Sequence, residues 1–151
     1  MRASRVVGLA AVALLTAVAP LLAVQQPAGA VNNDDDQSGQ LTFVDYSGNA
    51  ATCTLVNDSH HDTNAHSASA YAVLYGTADC HYPNAYLILT VVGNDENGVS
   101  HTATGTGYSD NFTVTLDHAV SSIRTFADVH FQNCNPNTSA SCALAVGAAP
   151  K

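Results

Sequence analysis

Short segments in which apolar and polar residues alternate recur along the chain, and clusters of turn residues separate them. The alternation is clearest where Phe112, Val114 and Leu116 interleave with polar residues. Because successive side chains of a strand point to opposite faces, this pattern predicts one buried and one solvated face. Thr, Val, Asn, Tyr and Gly are plentiful, whereas Lys, Glu and Arg are scarce, which favours strands over helices. The predicted strands are 41–46, 51–57, 70–81, 85–93, 99–106, 111–118, 123–132 and 141–147.

These strands make up one all-β domain over residues 41–151. Their number favours a small immunoglobulin-like sandwich of two sheets, with a small β-barrel as the alternative. The chain has no Trp, so the buried Trp typical of true immunoglobulin domains is absent. Residues 31–40 are polar and acidic, and we expect them to be disordered.

Residues 1–30 have the organisation of a secretory signal peptide. Two arginines form a basic start, an uncharged run covers 6–24, and small residues end the segment at Ala30. The run is long enough to raise the alternative of a membrane anchor, but Pro20 interrupts it and an acidic stretch follows it. We therefore expect cleavage after Ala30 and secretion to the outside of the cell.

Removal of this leader would leave a strongly acidic chain. Arg124 and Lys151 would remain against twelve Asp and Glu residues, a formal net charge of −10 with neutral His. Two cations cannot neutralise a row of phosphates, so nucleic acid is not an expected partner. Anionic membrane surfaces are not expected partners for the same reason.

All four cysteines, Cys53, Cys80, Cys134 and Cys142, follow the leader. An even number in an exported chain indicates two disulfide bonds, for which three pairings are possible. We favour Cys53–Cys80 and Cys134–Cys142 because each bond joins neighbouring cysteines in the sequence. The spacing matches no zinc–thiolate pattern.

The densest group of potential metal ligands lies at 58–66, in a predicted loop between two strands. Its candidate ligands are Asp58, His60, His61, Asp62 and His66. Neutral imidazole and carboxylate suit copper or zinc, so the loop is a candidate metal site. The alternative is a solvated loop whose histidines only tune the surface charge.

Tyrosines cluster around a predicted hairpin. Tyr71 and Tyr75 fall on one face of the first predicted strand, and Tyr86 falls on the second. If exposed, these rings could stack on the sugars of a polysaccharide or anchor a protein partner. The alternative is that they cover the second sheet of the sandwich.

No motif for catalysis stands out. The sequence has no Gly-x-Ser-x-Gly elbow, and two disulfides would leave no free thiol as a nucleophile. We therefore expect a secreted, monomeric, non-catalytic protein with a binding or structural role. A small protease inhibitor is a further alternative, with 135–141 as its exposed loop between Cys134 and Cys142.

One pattern of residues resembles a known group of proteins. Cys53 on a predicted strand is followed by Tyr75, Gly76 and then Cys80 in a Tyr-Gly-x-x-x-Cys arrangement. Together with the Ala-, Val- and Leu-rich leader, this resembles small secreted actinobacterial proteins of uncharacterised function. The resemblance implies an exported β-protein with two disulfides, and it implies no activity.

Overall fold

The computed structural model describes residues 33–62 and 67–148, so the predicted leader lies outside the described residues. The eight strands are β1 (Asn33–Val44), β2 (Ala50–Asp62), β3 (Ser67–Gly76), β4 (Ala85–Asn94), β5 (Ser100–Tyr108), β6 (Asn111–Leu116), β7 (Ser122–Phe131) and β8 (Ala143–Ala148). A single 3₁₀ turn, Ala78–Cys80, lies between β3 and β4. Within these two described ranges, no helix is long and apolar enough to cross a membrane.

The strands form two antiparallel sheets of four strands each. Sheet I has the order β1-β2-β3-β6, and sheet II has the order β5-β4-β7-β8. The sheets pack face to face, with β1 against β8 at one edge and β6 against β5 at the other. This confirms the predicted two-sheet sandwich, and neither sheet closes into a barrel.

The core lies between the sheets and follows the alternation of the sequence. On β4 every second residue from Ala85 to Val91 is buried, and on β7 the buried set runs from Ile123 to Phe131. The ring of Phe131 stacks on that of Phe43 from β1, with centroids 5.0 Å apart. Burial of these side chains is the main stabilising contribution to such a fold.

Residues 33–40 belong to the first strand, whereas the sequence predicted disorder over residues 31–40. β1 begins at Asn33, and its register pairs Asn33 with His61 and Val44 with Ala50. The prediction from polar composition was wrong, because the backbone of β1 pairs with β2 along its whole length. A strand paired in this way needs few apolar side chains of its own. The small size of Gly39 allows β1 to pack closely against β8, since a Cβ at this position would lie 2.9 Å from a methyl group of Val146 on β8.

The segment between β3 and β4 crosses from one sheet to the other, so the hairpin predicted there is not formed. β3 ends at Gly76, which has a φ of +139°, and the next residues turn through the 3₁₀ segment to Cys80. The disulfide Cys53–Cys80 ties this crossing to β2. The second disulfide is Cys134–Cys142, so the favoured pairing is confirmed.

One stretch of the interior is polar. On β2 the inward side chains change from Cys53 and Leu55 to Asn57, Ser59 and His61, all of them buried. The Asn57 amide donates to the Thr125 hydroxyl at 3.0 Å and to the Val146 carbonyl at 3.1 Å. The Thr125 hydroxyl donates in return to Asn57 Oδ1 at 3.2 Å, so a reciprocal pair joins the two sheets.

Candidate functional site

The predicted metal loop is a strand as far as Asp62. Because strand side chains alternate, Asp58, His60 and Asp62 share the outer face of sheet I, while His61 points into the sandwich. His61 Nε2 lies 2.9 Å from the Val120 carbonyl, to which it donates. His60 and His61 therefore cannot bind one ion together, which corrects the predicted ligand set.

The last predicted ligand, His66, lies outside the described residues. Among the residues that the structure does describe, no three His, Cys, Asp or Glu side chains are placed to hold a metal ion.

A pair of histidines that the sequence left scattered meets at one end of the sandwich. His101 on β5 stacks on His118 after β6, with ring centroids 4.1 Å apart. His101 Nε2 also lies 3.3 Å from Asp95 Oδ2. The backbone N–H of Val99, then His101 and Asn97, hold the pKa of Asp95 below its ordinary value. Only the sheet topology brings these residues together, so no sequence signal could have shown the pair.

A pocket of about 280 Å³ lies at the same end, between the β4–β5 and β6–β7 connections. Its lining is Asp95, Glu96, Asn97, Ala119 and Val120. This volume is slightly below the range that is typical of small-molecule sites. The Asp95 carboxylate accepts from the backbone N–H groups of Asn97 and Val99, at 2.8 and 2.9 Å, so the arrangement is typical of a structural loop.

The predicted tyrosine face is present on β3. Tyr71 is 39% exposed and Tyr75 is 55% exposed, and both lie on the outer face of sheet I with Val73 between them. The Cα atoms of Tyr71 and Tyr75 are four residues apart along the strand, a distance of about 13 Å. Val56 of β2 lies opposite Val73 and widens the apolar stripe. We call Val56, Tyr71, Val73 and Tyr75 the tyrosine face.

Polar side chains border the tyrosine face on the neighbouring strands. Thr54 lies opposite Tyr75, while Asp58 and Thr113 lie on either side of Tyr71. Gln40 of β1 donates to the Thr54 hydroxyl at 3.3 Å. The result is an open sheet surface with aromatic rings in the middle and hydrogen-bonding groups around them.

Tyr86 does not belong to this face, which corrects the predicted group of three tyrosines. It lies on β4 in sheet II, where its ring meets that of Tyr108 edge to face with centroids 5.0 Å apart. The prediction failed because it assumed a hairpin where the chain changes sheets.

Sequence reasoning missed a second exposed surface, on the outer side of sheet II. Phe126 is 45% exposed and lies there between Arg124 and Asp128. Strand alternation could have revealed it, because Phe126 is in phase with the charged residues Arg124 and Asp128 along the strand.

The predicted inhibitor loop, 135–141, is a compact turn. The backbone N–H groups of Thr138 and Ser139 both donate to the Asn135 carbonyl, at 3.2 and 3.1 Å. Ser139 also bonds to the backbone of Val44 on β1 through its hydroxyl. A segment folded in this way lacks the extended backbone that could pair with another protein as a strand.

Comparisons with family models, with curated proteins and with solved structures found no match to this chain.

Proposed function

We propose that this chain acts outside the cell as a non-catalytic protein that binds a neutral polysaccharide on its tyrosine face. The observation that carries the proposal is the exposure of Tyr71 and Tyr75 on one flat face with an apolar stripe between them. Large exposed rings of this kind are typical of binding surfaces, because Tyr offers contact area at a small cost in conformational entropy.

The shape and polarity of the face favour a polysaccharide over a small molecule. A flat sheet cannot enclose a ligand as a pocket does, but it can support an extended polymer along the line of the two rings. Hydroxyl and amide groups on β1, β2 and β6 surround the rings. They can exchange hydrogen bonds with the hydroxyl groups of a sugar.

The charge of the face favours a ligand without negative charge. Asp58 lies beside Tyr71, and Asp36 of β1 is paired with Asp58 in the register of sheet I. No Lys or Arg is among the described residues of the four strands of sheet I. An anionic polymer would meet repulsion there, whereas a neutral one would not.

Export through the leader is part of the proposal. Cleavage after Ala30 would leave the whole of β1, which begins at Asn33. Two disulfides fit an oxidising compartment. Mass spectrometry of protein recovered from a culture supernatant should give a chain that begins at Val31, and intact residues 1–30 would contradict this part.

A pull-down with insoluble neutral polysaccharides tests the binding proposal. We expect the wild-type protein to bind at least one of them, and Tyr75→Ala to weaken that binding about tenfold or more. Tyr46→Ala is the matched control, because Tyr46 is 63% exposed in the turn after β1 and away from the face. Equal binding by Tyr75→Ala and wild type would contradict the proposal.

A further inference from the structure

The outer face of sheet II is apolar at its centre. Phe126 on β7 lies between Thr90 of β4 and Gly147 of β8 in the register of the sheet. Ile88 and Val92 lie on either side of Thr90 along β4 and are only half-buried. Sheet I covers the inner side of sheet II, and no element of the described chain covers this outer side.

Two formal charges of opposite sign lie on this face, at equal distances from Phe126. Arg124 and Asp128 are each two residues from Phe126 on β7, one on either side. No salt bridge joins them to each other or to another side chain in the described ranges. Their Cα atoms are about 13 Å apart along the strand.

Consider a two-fold axis that lies in the plane of the interface, perpendicular to the strands and passing beside Phe126. This axis makes the charge pattern complementary to itself. Rotation about that axis brings Arg124 of one copy opposite Asp128 of the second copy, and the same pair forms again on the other side. The two Phe126 rings meet between these pairs, and Val92 lies opposite Ile88 of the second copy. We propose that the outer face of sheet II is the interface of a symmetric homodimer.

The size of the face fits a reversible dimer. Four strands about 4.8 Å apart and about nine residues long give a flat area of about 500 Å² per copy. Two copies would bury about 1,000 Å², close to the lower limit for a specific interface. We therefore expect a dissociation constant in the micromolar range. The dimer takes the place of the monomer expected from the sequence.

The charge pattern favours a second copy of this chain as the partner that binds the outer face of sheet II. A different protein would not require opposite charges at equal distances from one aromatic ring. The outer face of sheet I cannot have the same role, because Asp36, Asp58 and Asp62 lie there without a described Arg or Lys. The dimer goes beyond the proposed binding function, since it leaves both tyrosine faces exposed on opposite sides.

Analytical ultracentrifugation with charge reversal tests the dimer. For the purified, oxidised protein between about 1 and 500 µM, we expect a reversible monomer–dimer equilibrium. Arg124→Asp alone and Asp128→Arg alone should each raise the dissociation constant about tenfold or more, because like charges would then face each other. The double variant Arg124→Asp/Asp128→Arg should return it to within about threefold of the wild-type value.

Thr113→Asp is the matched control, because it introduces the same aspartate side chain on the opposite side of the sandwich, with a change in formal charge of −1 where Arg124→Asp changes it by −2. It should leave the dissociation constant unchanged. A wild-type chain that stays monomeric at every concentration would overturn the proposal and leave this face to another protein. A dimer that Arg124→Asp does not weaken, or that the double variant does not restore, would also overturn it.

Discussion

At the residue scale, the buried side chains of Asn57 and Thr125 join the two sheets through reciprocal hydrogen bonds. Alternation along β7 places Thr125 on the inner face, because it lies two residues from each of the apolar residues Ile123 and Ala127. Thr125 follows their period and is fully buried. No local signal shows that its partner is Asn57, which lies 68 residues away on the other sheet. The face of a residue can be predicted, whereas its partner across a core depends on the topology.

Thr125→Val keeps the shape of this side chain and removes its hydroxyl. It would leave Asn57 Oδ1 buried without the bond it now accepts, at a cost of about 1–3 kcal/mol in the free energy of unfolding. Urea denaturation measures this cost, and Thr113→Val on the exposed face should change stability by less than about 0.5 kcal/mol. An equal effect of the two variants would show that the buried pair contributes nothing.

Acid stability depends on the two turn aspartates, Asp45 and Asp95. The backbone N–H and side-chain amide of Asn49 hold the pKa of Asp45 below its ordinary value of 3.8, as the N–H of Val99 does for Asp95. Because the folded state prefers the charged carboxylates, their contribution to stability is present above about pH 4. It is lost as the pH falls through the lower folded-state pKa values.

The unfolding midpoint in urea should therefore fall between pH 5 and pH 2.5, and it should fall less in Asp45→Asn/Asp95→Asn than in the wild type. A parallel decrease in both proteins would show that the acid sensitivity comes from other groups.

At the element scale, the sequence predicts the existence of all eight strands and misplaces some of their ends. β1 and β2 continue through the polar stretches that were expected to be disordered or looped, because they pair with each other as far as Asn33 and His61. β3 ends at Gly76, earlier than expected, because the chain must leave sheet I there. Alternation indicates which face of a strand is buried, but it does not indicate which strand lies beside it. For that reason the sequence predicts that Tyr71 and Tyr75 share a face, but it leaves open whether that face is exposed, and it misplaces Tyr86.

Gly76 is required by the crossing between the sheets. A Cβ at this position would collide with the Thr52 carbonyl oxygen and with Cys80 Sγ, in a backbone conformation that favours glycine. Gly76→Ala should reduce the free energy of unfolding by about 2 kcal/mol or more.

Gly48→Ala separates the backbone effect from the collision. Gly48 also has a positive φ, but nothing lies within 4 Å of its Cβ position, so its replacement should cost about 1–2 kcal/mol from the backbone alone. A cost for Gly76→Ala no larger than that for Gly48→Ala in urea denaturation would contradict the close packing at the crossing.

At the scale of the whole molecule, the two outer faces have different chemistry. Sheet I presents tyrosines among hydroxyls and carboxylates, and sheet II presents Phe126 with one cation and one acid. If two copies pair through sheet II, their tyrosine faces point in opposite directions. Such a dimer could link two polymer surfaces, such as neighbouring fibres of an insoluble polysaccharide, with one tyrosine face on each.

This arrangement predicts an avidity effect in chains that bind polysaccharide. Arg124→Asp, which should dissociate the dimer, is expected to weaken binding to an insoluble polysaccharide by about tenfold or more. The affinity for a short soluble fragment of the same polymer should not change, because one tyrosine face is enough to bind it. Isothermal titration calorimetry and pull-down on the same samples give both values, and equal losses in the two assays would argue against bivalent binding.

The decisive test of polysaccharide binding on the tyrosine face is the binding isotherm of the wild type and of Tyr71→Ala/Tyr75→Ala on a panel of neutral polysaccharides. Both side chains are exposed, so the double variant should keep the unfolding curve of the wild type. We expect saturable binding by the wild type to at least one polymer, and a loss of about a hundredfold in affinity when both rings are removed. Absence of binding by the wild type across the panel, or binding that survives the double substitution, would contradict the proposal.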